Sequence, residues 1–317
     1  MKENNLKGTN ILVTGGAGFI GSHLVDKLIQ IECNKIIIVD NLATGFEQNL
    51  PEFDNQNVIF IKDDISNDSF WENLPYDIDY IFNLAAVVSV PQSMKYPLET
   101  YNINTLGFAK VLDFAKNKKV RKVIYASSSA VYGNVDKVPI GEIVDQVPTS
   151  PYGHSKLLNE DFAQHYYRFY NVGSVGLRFF NVFGPRQRSD SPYSGVISIF
   201  MDKMIHNLPI QIYGDGEQIR DFIYVSDVVE GLIQAAESDL KCQVFNLGTG
   251  IPSSINHLFK KLADILAYEG KPISVQEREG DIKRSLADIN NVKKLLNFNP
   301  KYSLDSGLQA LVKPIDY

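Results

Sequence analysis

The chain has 317 residues and a formal net charge of −6 at pH 7, with 44% hydrophobic and 21% charged residues. That length accommodates one large α/β domain or a domain with a smaller companion. The acidic balance excludes the basic face that a nucleic-acid partner needs, and no apolar run approaches the length of a membrane span.

The polar start, Met1–Asn10, runs straight into an apolar segment, so no signal peptide is expected. Strands are expected at Asn10–Thr14, Lys35–Asp40, Val58–Lys62, Tyr80–Leu84, Lys122–Ala126 and Ser174–Phe179, all rich in Ile, Val, Phe and Tyr. Helix-length amphipathic segments lie between them at Ile20–Ile31, Pro97–Asn117 and Tyr152–Tyr170. Near-continuous apolar strands alternating with helices predict a doubly wound parallel sheet covered on both faces. After about residue 180 the elements shorten and Gly and Pro punctuate them. A dinucleotide-binding domain at 1–180 and a smaller α/β lobe at 181–317 are therefore expected. The boundary is soft, because Phe222–Ala236 and Val244–Leu247 have the character of chain returning to the first domain.

Thr14–Gly21 reads TGGAGFIG, with glycines at 15, 18 and 21. The motif follows a buried-type strand and opens a helix, the context in which such glycines let backbone approach a pyrophosphate at a helix N-terminus. The second strand ends in Asp40, a carboxylate suited to both ribose hydroxyls of an adenosine and repulsive to a 2′-phosphate. With no basic residue in Asp40–Leu42, NAD is favoured over NADP. Tyr152 and Lys156 are four apart at the start of a helix and so project from one face. That helix follows the strand ending in ASSSAVYG (126–133), and strand ends on this side of the sheet are where ligands sit.

The histidines, His23, His154, His165, His206 and His257, show no metal-ligand spacing, and Cys33 and Cys242 cannot build a disulfide framework. No metal is expected, and a reducing cytoplasm is. The arginines all lie at Arg121 or beyond and crowd between Arg178 and Arg284. That placement fits solvated surface, or planar phosphate binders in the second lobe.

Over nearly its whole length the chain resembles the extended short-chain dehydrogenase/reductase family, in particular the NAD-dependent nucleotide-sugar epimerases and dehydratases. The resemblance rests on TGGAGFIG, Asp40, NLAA (83–86), ASSSAVYG, YGHSK (152–156), RFFNVFGPRQ (178–187), RDFIYVSDV (220–228) and REGD (278–281). It implies a Rossmann-type domain with a C-terminal substrate lobe. Tyr152 is then the acid/base, supported by Lys156, with Ser128 holding the sugar oxygen and Ser129 beside it. Gly15, Gly18, Phe19, Ile20, Gly21, Asp40, Asn41, Asp64, Ile65, Leu84, Ala85 and Ala86 would line the NAD site together with Tyr152 and Lys156. Ser89, Asn181, Val196, Tyr213, Arg220, Arg278, Asp281 and Ser285 would meet a UDP-sugar. Family members usually form homodimers through a four-helix bundle, which here would use Pro97–Asn117 and Tyr152–Tyr170.

Three details narrow the reaction. The 4,6-dehydratases of this family carry an Asp-Glu pair just after the catalytic hydroxyl residue, where this chain has Ser129 and Ala130. Ser285 resembles in position the family's sugar-pocket gatekeeper, where a bulky tyrosine excludes 2-acetamido sugars and a small residue admits them. SVPQSMKYP (89–97) resembles the corresponding loop of UDP-N-acetylglucosamine 4-epimerases. The expected enzyme is a UDP-hexose 4-epimerase interconverting UDP-N-acetylglucosamine and UDP-N-acetylgalactosamine, with UDP-glucose and UDP-galactose as a further pair. UDP-glucuronate 4-epimerase, another 4-keto-forming nucleotide-sugar enzyme (a decarboxylase or dehydratase) and, more remotely, a non-catalytic NAD sensor stand as alternatives.

Overall fold

The computed structural model describes residues 5–51, 57–189, 195–277 and 282–312. Its first part alternates strands β1 (Asn10–Thr14), β2 (Lys35–Asp40), β3 (Val58–Lys62), β4 (Tyr80–Asn83), β5 (Lys122–Ser128) and β6 (Ser174–Phe179) with helices. These helices are α1 (Phe19–Gln30), α2 (Asp68–Asn73), α3 (Val90–Lys95), α4 (Pro97–Tyr101), α5 (Gly107–Lys118) and α6 (Pro151–Tyr170). β4 stops one residue short of the expected end and β5 runs on to Ser128. The helix expected over Pro97–Asn117 is interrupted by a π turn at Asn102–Leu106. In that turn the buried amide of Asn104 bonds both the N–H and the carbonyl of Val87, a tertiary contact that helical periodicity cannot show.

The later elements are β7 (Asn181–Phe183), α7 (Val196–Ile205), β8 (Gln211–Tyr213), β9 (Ile219–Tyr224), α8 (Val225–Glu237) and β10 (Cys242–Leu247). They are followed by β11 (Pro252–Ser254), α9 (Ile255–Leu266), β12 (Ile273–Val275), β13 (Arg284–Ser285), α10 (Asn290–Leu296) and α11 (Leu304–Val312).

Among the described residues the main sheet has seven parallel strands in the order β10-β6-β5-β4-β1-β2-β3. Alternate residues enter two cores: Ile36, Ile38 and Phe82 point to one, Ile37, Val39 and Ile81 to the other. This is why the strands read as unbroken apolar runs. Strand order reverses between β1 and β4, and the crevice outside their C-terminal ends is the position at which such sheets bind ligands. The chain does return to this sheet. α8 packs against α1, β5 and β6, and β10 pairs with β6. Lys122, buried at the start of β5, donates to the carbonyls of Ala235 and Ala236 at 3.2 and 3.1 Å and so closes the last turn of α8. α10 returns as well, burying Val292 and Leu296 in the first core. Its seven residues are too short a run for periodicity to have flagged.

The remaining elements form a small lobe. β7, β11 and β13 flank β9, β8 pairs with β12, and α7, α9 and α11 close over Phe200, Ile212, Phe222, Leu258 and Leu308. No helix among the described residues is long and apolar enough to cross a membrane.

Candidate active site

The crevice begins at the turn from β1 into α1. Gly15 has φ +71°, and a Cβ there would lie 2.7 Å from the main-chain nitrogen of Ala85. A Cβ on Gly21 would lie 2.1 Å from the carbonyl oxygen of Gly15. Both positions therefore need glycine: the first for its backbone conformation, the second so that α1 can close on the loop. Gly18, Phe19 and Ile20 open α1, whose N-terminus carries no side-chain cap. Its main-chain N–H groups and the positive end of its dipole fit a pyrophosphate.

At the end of β2, Asp40 is buried, and its two oxygens accept from Ala17 N (3.0 Å) and Leu42 N (2.8 Å). Burial lifts its carboxyl above the ordinary range despite those two hydrogen bonds. A buried carboxylate with lone pairs still to fill fits a ribose diol. Asn41 donates to Asp64 at 2.7 Å, and Asp64 also accepts from Ser66 N. Burial acts to raise Asp64, but these hydrogen bonds and Lys110 outweigh it and hold the carboxyl low. The side chain of Ile65 belongs to the second core, and its carbonyl accepts from Trp71 Nε1 at 2.8 Å. Leu84, Ala85 and Ala86 continue β4 into the crevice as half-buried residues. They are held by Thr14, whose hydroxyl donates to Asn83 Oδ1 at 2.8 Å and accepts from Leu84 N and Ala85 N. Thr14 and Asn83 lie inside the TGGAGFIG and NLAA motifs, but their structural part depends on a contact between two strands that neither motif shows.

α6 is capped by Ser150, whose hydroxyl accepts from Gly153 N at 3.1 Å. Tyr152 and Lys156 follow on successive turns, and Ser128 at the end of β5 hydrogen-bonds the phenol. The structure thus brings Tyr152, Lys156 and Ser128 together, with Ser129 next in chain. Lys156 is 2% exposed and donates to Ala126 O at 3.0 Å, with Nζ 5.9 Å from the centre of the Tyr152 ring. It therefore acts on the phenol through its field, without a direct bond. Burial lifts the phenol of Tyr152 above its usual value, and the Ser128 hydrogen bond offsets this only in part. Burial also pushes the Lys156 ammonium down to about 8. The protein alone thus favours a neutral phenol, and a further positive charge in the crevice is needed to make it a base at neutral pH.

Lys156 carries a consequence for stability. Its ordinary value is 10.5, so between pH 8 and 10.5 the unfolded chain binds more protons than the folded one. The cost of burying the ammonium is complete below pH 8 and disappears as pH rises to 10.5. Lys156→Met is expected to raise the stability of NAD-free protein at pH 7 by about 1–3 kcal/mol while abolishing most turnover. Urea midpoints at pH 7 and 10 test this. A destabilised variant at pH 7, or an equal gain at both pH values, would reject it.

Asn181, Arg220 and Ser285 share one small sheet. Ser285 pairs with Arg220 in the parallel β13–β9 ladder, and Asn181 Nδ2 donates to the carbonyl of Asp221 at 3.2 Å. Ser285 is 7% exposed. Arg220 is half-buried and donates to the carbonyl of Ile282 at 2.6 Å. Beneath them Asp221 is buried and accepts from Thr249 N, Thr249 Oγ1, Gly250 N and Ala287 N. It fixes the segment two residues past Ser285. Val196 opens α7 and Tyr213 ends β8, both half-buried. Ser89 caps α3, accepting from Gln92 N at 3.1 Å, and keeps its own O–H to donate. Arg278 and Asp281 lie outside the described residues.

The crowding of arginines divides on inspection. Arg178 is no phosphate binder: it is buried in β6 and paired with Glu160, its Nη2 2.6 Å from Oε2. Arg186 pairs with Asp26 of α1 at 2.8 Å. His154 is exposed and bonds the Tyr101 hydroxyl at 3.0 Å.

A family model described as the NAD dependent epimerase/dehydratase family matches residues 11–248. A putative UDP-glucose 4-epimerase of Methanocaldococcus jannaschii is 38% identical, over 95% of this chain and 97% of its own. The solved UDP-N-acetylglucosamine 4-epimerase of Methanobrevibacter ruminantium M1, in complex with UDP-N-acetylmuramic acid, is 41% identical with a TM-score of 0.92. That alignment covers 96% of this chain and 97% of the other. The solved UDP-glucose 4-epimerase of Thermotoga maritima, with UDP-glucose, is 38% identical with a TM-score of 0.91, over 95% and 97% of the two chains.

Proposed function

The chain belongs to the NAD-dependent epimerase/dehydratase family, and from that premise we propose that it is a UDP-hexose 4-epimerase interconverting UDP-N-acetylglucosamine and UDP-N-acetylgalactosamine. The observation that carries the sugar assignment is the small, buried Ser285 standing in register with Arg220. It leaves room for a 2-acetamido group in a pocket whose neighbouring residue suits a diphosphate. Dehydration is disfavoured, because Ser129 and Ala130 offer no acid and base for loss of water across C5–C6.

NAD bound in the crevice supplies the hydride acceptor at sugar C4, the donor for the return step, and the positive charge that the phenol needs. Tyr152 takes the proton of the 4-hydroxyl, and Ser128 holds the same oxygen and relays that proton. Lys156 keeps a cation beside the ring and fixes the helix against the Ala126 carbonyl. Arg220, with Arg278, holds the diphosphate through charge-assisted bonds, and Asp281 accepts from the uridine ribose. With the nucleotide held, the 4-keto hexose turns about its link to the diphosphate. It then presents its other face, Tyr152 returns the proton, and C4 is inverted. The cycle is redox-neutral and NAD need not leave.

The working unit proposed is a homodimer in the cytoplasm. Leu98, Leu106 and Phe169, on or beside the packed helices α4 and α6, are 83%, 53% and 65% exposed, which suits burial by a second copy.

Incubating the purified protein with UDP-N-acetylglucosamine and with UDP-glucose, with and without added NAD, tests the reading by NMR of the products. UDP-N-acetylgalactosamine from the first supports it. Conversion of UDP-glucose alone keeps the mechanism and rejects the pocket argument, and no C4 inversion in either rejects both. Ser285→Tyr is expected to cost N-acetylated substrates about tenfold or more in kcat/KM while sparing UDP-glucose. Equal loss on both would mean general damage to the pocket.

A further inference from the structure

The first turn of α6 has main-chain N–H groups that need partners from outside the helix. Pro151 has none to place. His154 N donates to Ser150 O at 2.9 Å and Gly153 N to Ser150 Oγ at 3.1 Å, both on the capping residue. The N–H of Tyr152 is different. It donates to Ser93 Oγ at 3.1 Å, a side chain of another helix, α3. Ser93 is fully buried, and its own hydroxyl donates to Val90 O at 2.7 Å, so its acceptor lone pairs are turned towards α6. Four residues earlier in the chain, Ser89 caps the same helix.

The carbonyl of Tyr152 is held as well. Ser155 Oγ donates to it at 2.7 Å and accepts from Asn104 Nδ2 at 3.0 Å. Asn104 in turn bonds the N–H and carbonyl of Val87 at 2.7 and 3.0 Å. Tyr152 is therefore gripped at both main-chain polar atoms by side chains tied to the segment Val87–Ser93. The phenol lies at the far end of a rigid side chain, so a small rotation of its peptide is magnified at the reacting oxygen.

We propose that Ser93 is a positioning residue for the phenol of Tyr152, coupling the segment that carries Ser89 to the acid/base. This rests on the reading of Tyr152 as the acid/base of a UDP-sugar epimerase. Ser93 acts only through Tyr152, and its removal affects the chemical step in preference to binding.

The test uses the NAD-loaded enzyme with whichever of UDP-N-acetylglucosamine or UDP-glucose it turns over. Ser93→Ala is expected to lower kcat roughly 10- to 100-fold, the loss that a misplacement near 1 Å brings. KM and NAD affinity should stay within about threefold of the parent. The acid limb of the kcat–pH profile should move to higher pH, because a loosened Tyr152 loses the Ser128 hydrogen bond that lowers its phenol. In a Tyr152→Phe background, Ser93→Ala should cost no more than about twofold further. Unchanged kcat in Ser93→Ala overturns the proposal. So does an equal fall in both backgrounds, or a parallel loss of kcat, NAD affinity and unfolding midpoint. Normal turnover in Tyr152→Phe alone would instead reject the reading of Tyr152 on which the proposal stands.

Discussion

Tyr152→Phe is expected to lower turnover by roughly 10²–10⁴ or more, with NAD affinity little changed. The substitution removes one oxygen and keeps the ring, so the packing of α6 against β5 and the Lys156–Ala126 bond survive. In the proposed mechanism, what is lost is the group that exchanges a proton with the 4-hydroxyl. Ser128 cannot replace it, because a serine hydroxyl has no accessible anion near neutrality and already accepts from Ala130 N at 3.2 Å. The pH dependence adds a second readout. Burial raises the phenol and lowers Lys156 to about 8, so turnover in the parent should rise with pH as the phenol ionises beside the bound cofactor. In Tyr152→Phe that rise should vanish along with the rate. Turnover per bound NAD, measured with NAD occupancy by fluorescence, decides it. A variant within threefold of the parent would place the base elsewhere.

The parts of this site that the sequence makes legible are those in which one local pattern serves one purpose. Ile36–Val39 is apolar throughout because both faces of β2 are covered, so strand and sheet class follow from the run itself. Gly15 and Gly21 can be read because backbone conformation and close approach each demand glycine at a fixed spacing. Tyr152 and Lys156 follow from helical geometry once the preceding strand is found. What stays hidden depends on contacts between distant segments. The π turn at Asn102–Leu106 exists where Asn104 meets Val87 and Ser155, and no periodicity announces it. Ser93 reads as an ordinary helix serine until α6 is packed against it. Arg178, in the sequence one more arginine of a crowded stretch, becomes legible only when Glu160 lies opposite. The chain's second return, through α10, depends on Val292 and Leu296 finding a core built by residues far away in sequence.

The largest effect on stability is expected from breaking that Glu160–Arg178 pair. The side chains are 7% and 5% exposed, and both guanidinium edges are in use. Nε and Nη2 reach the Glu160 carboxylate at 2.9 and 2.6 Å, while Nη1 reaches the Tyr132 hydroxyl at 2.7 Å. The Tyr132 hydroxyl donates to Asn246 Oδ1 at 2.6 Å, and burial pushes the phenol up to about 12. Asn246 on β10 bonds Ile140 O, and Ser127 on β5 donates to Glu160. The network therefore ties α6, one turn below Lys156, to three strands of the sheet. Taking one partner away leaves the other charge buried and unpaired, so Glu160→Leu should cost about 3–5 kcal/mol of unfolding free energy, and Arg178→Met a similar amount. The double variant Glu160→Leu/Arg178→Met buries no charge and should recover most of that loss, because the desolvation penalty leaves with the pair. Urea unfolding of all three variants gives the coupling energy directly. Additive losses would mean that the two residues stabilise the fold independently. If the double variant folds well yet turns over slowly, the pair is kept for the register of α6 against the end of β5, where Tyr152 must meet Ser128.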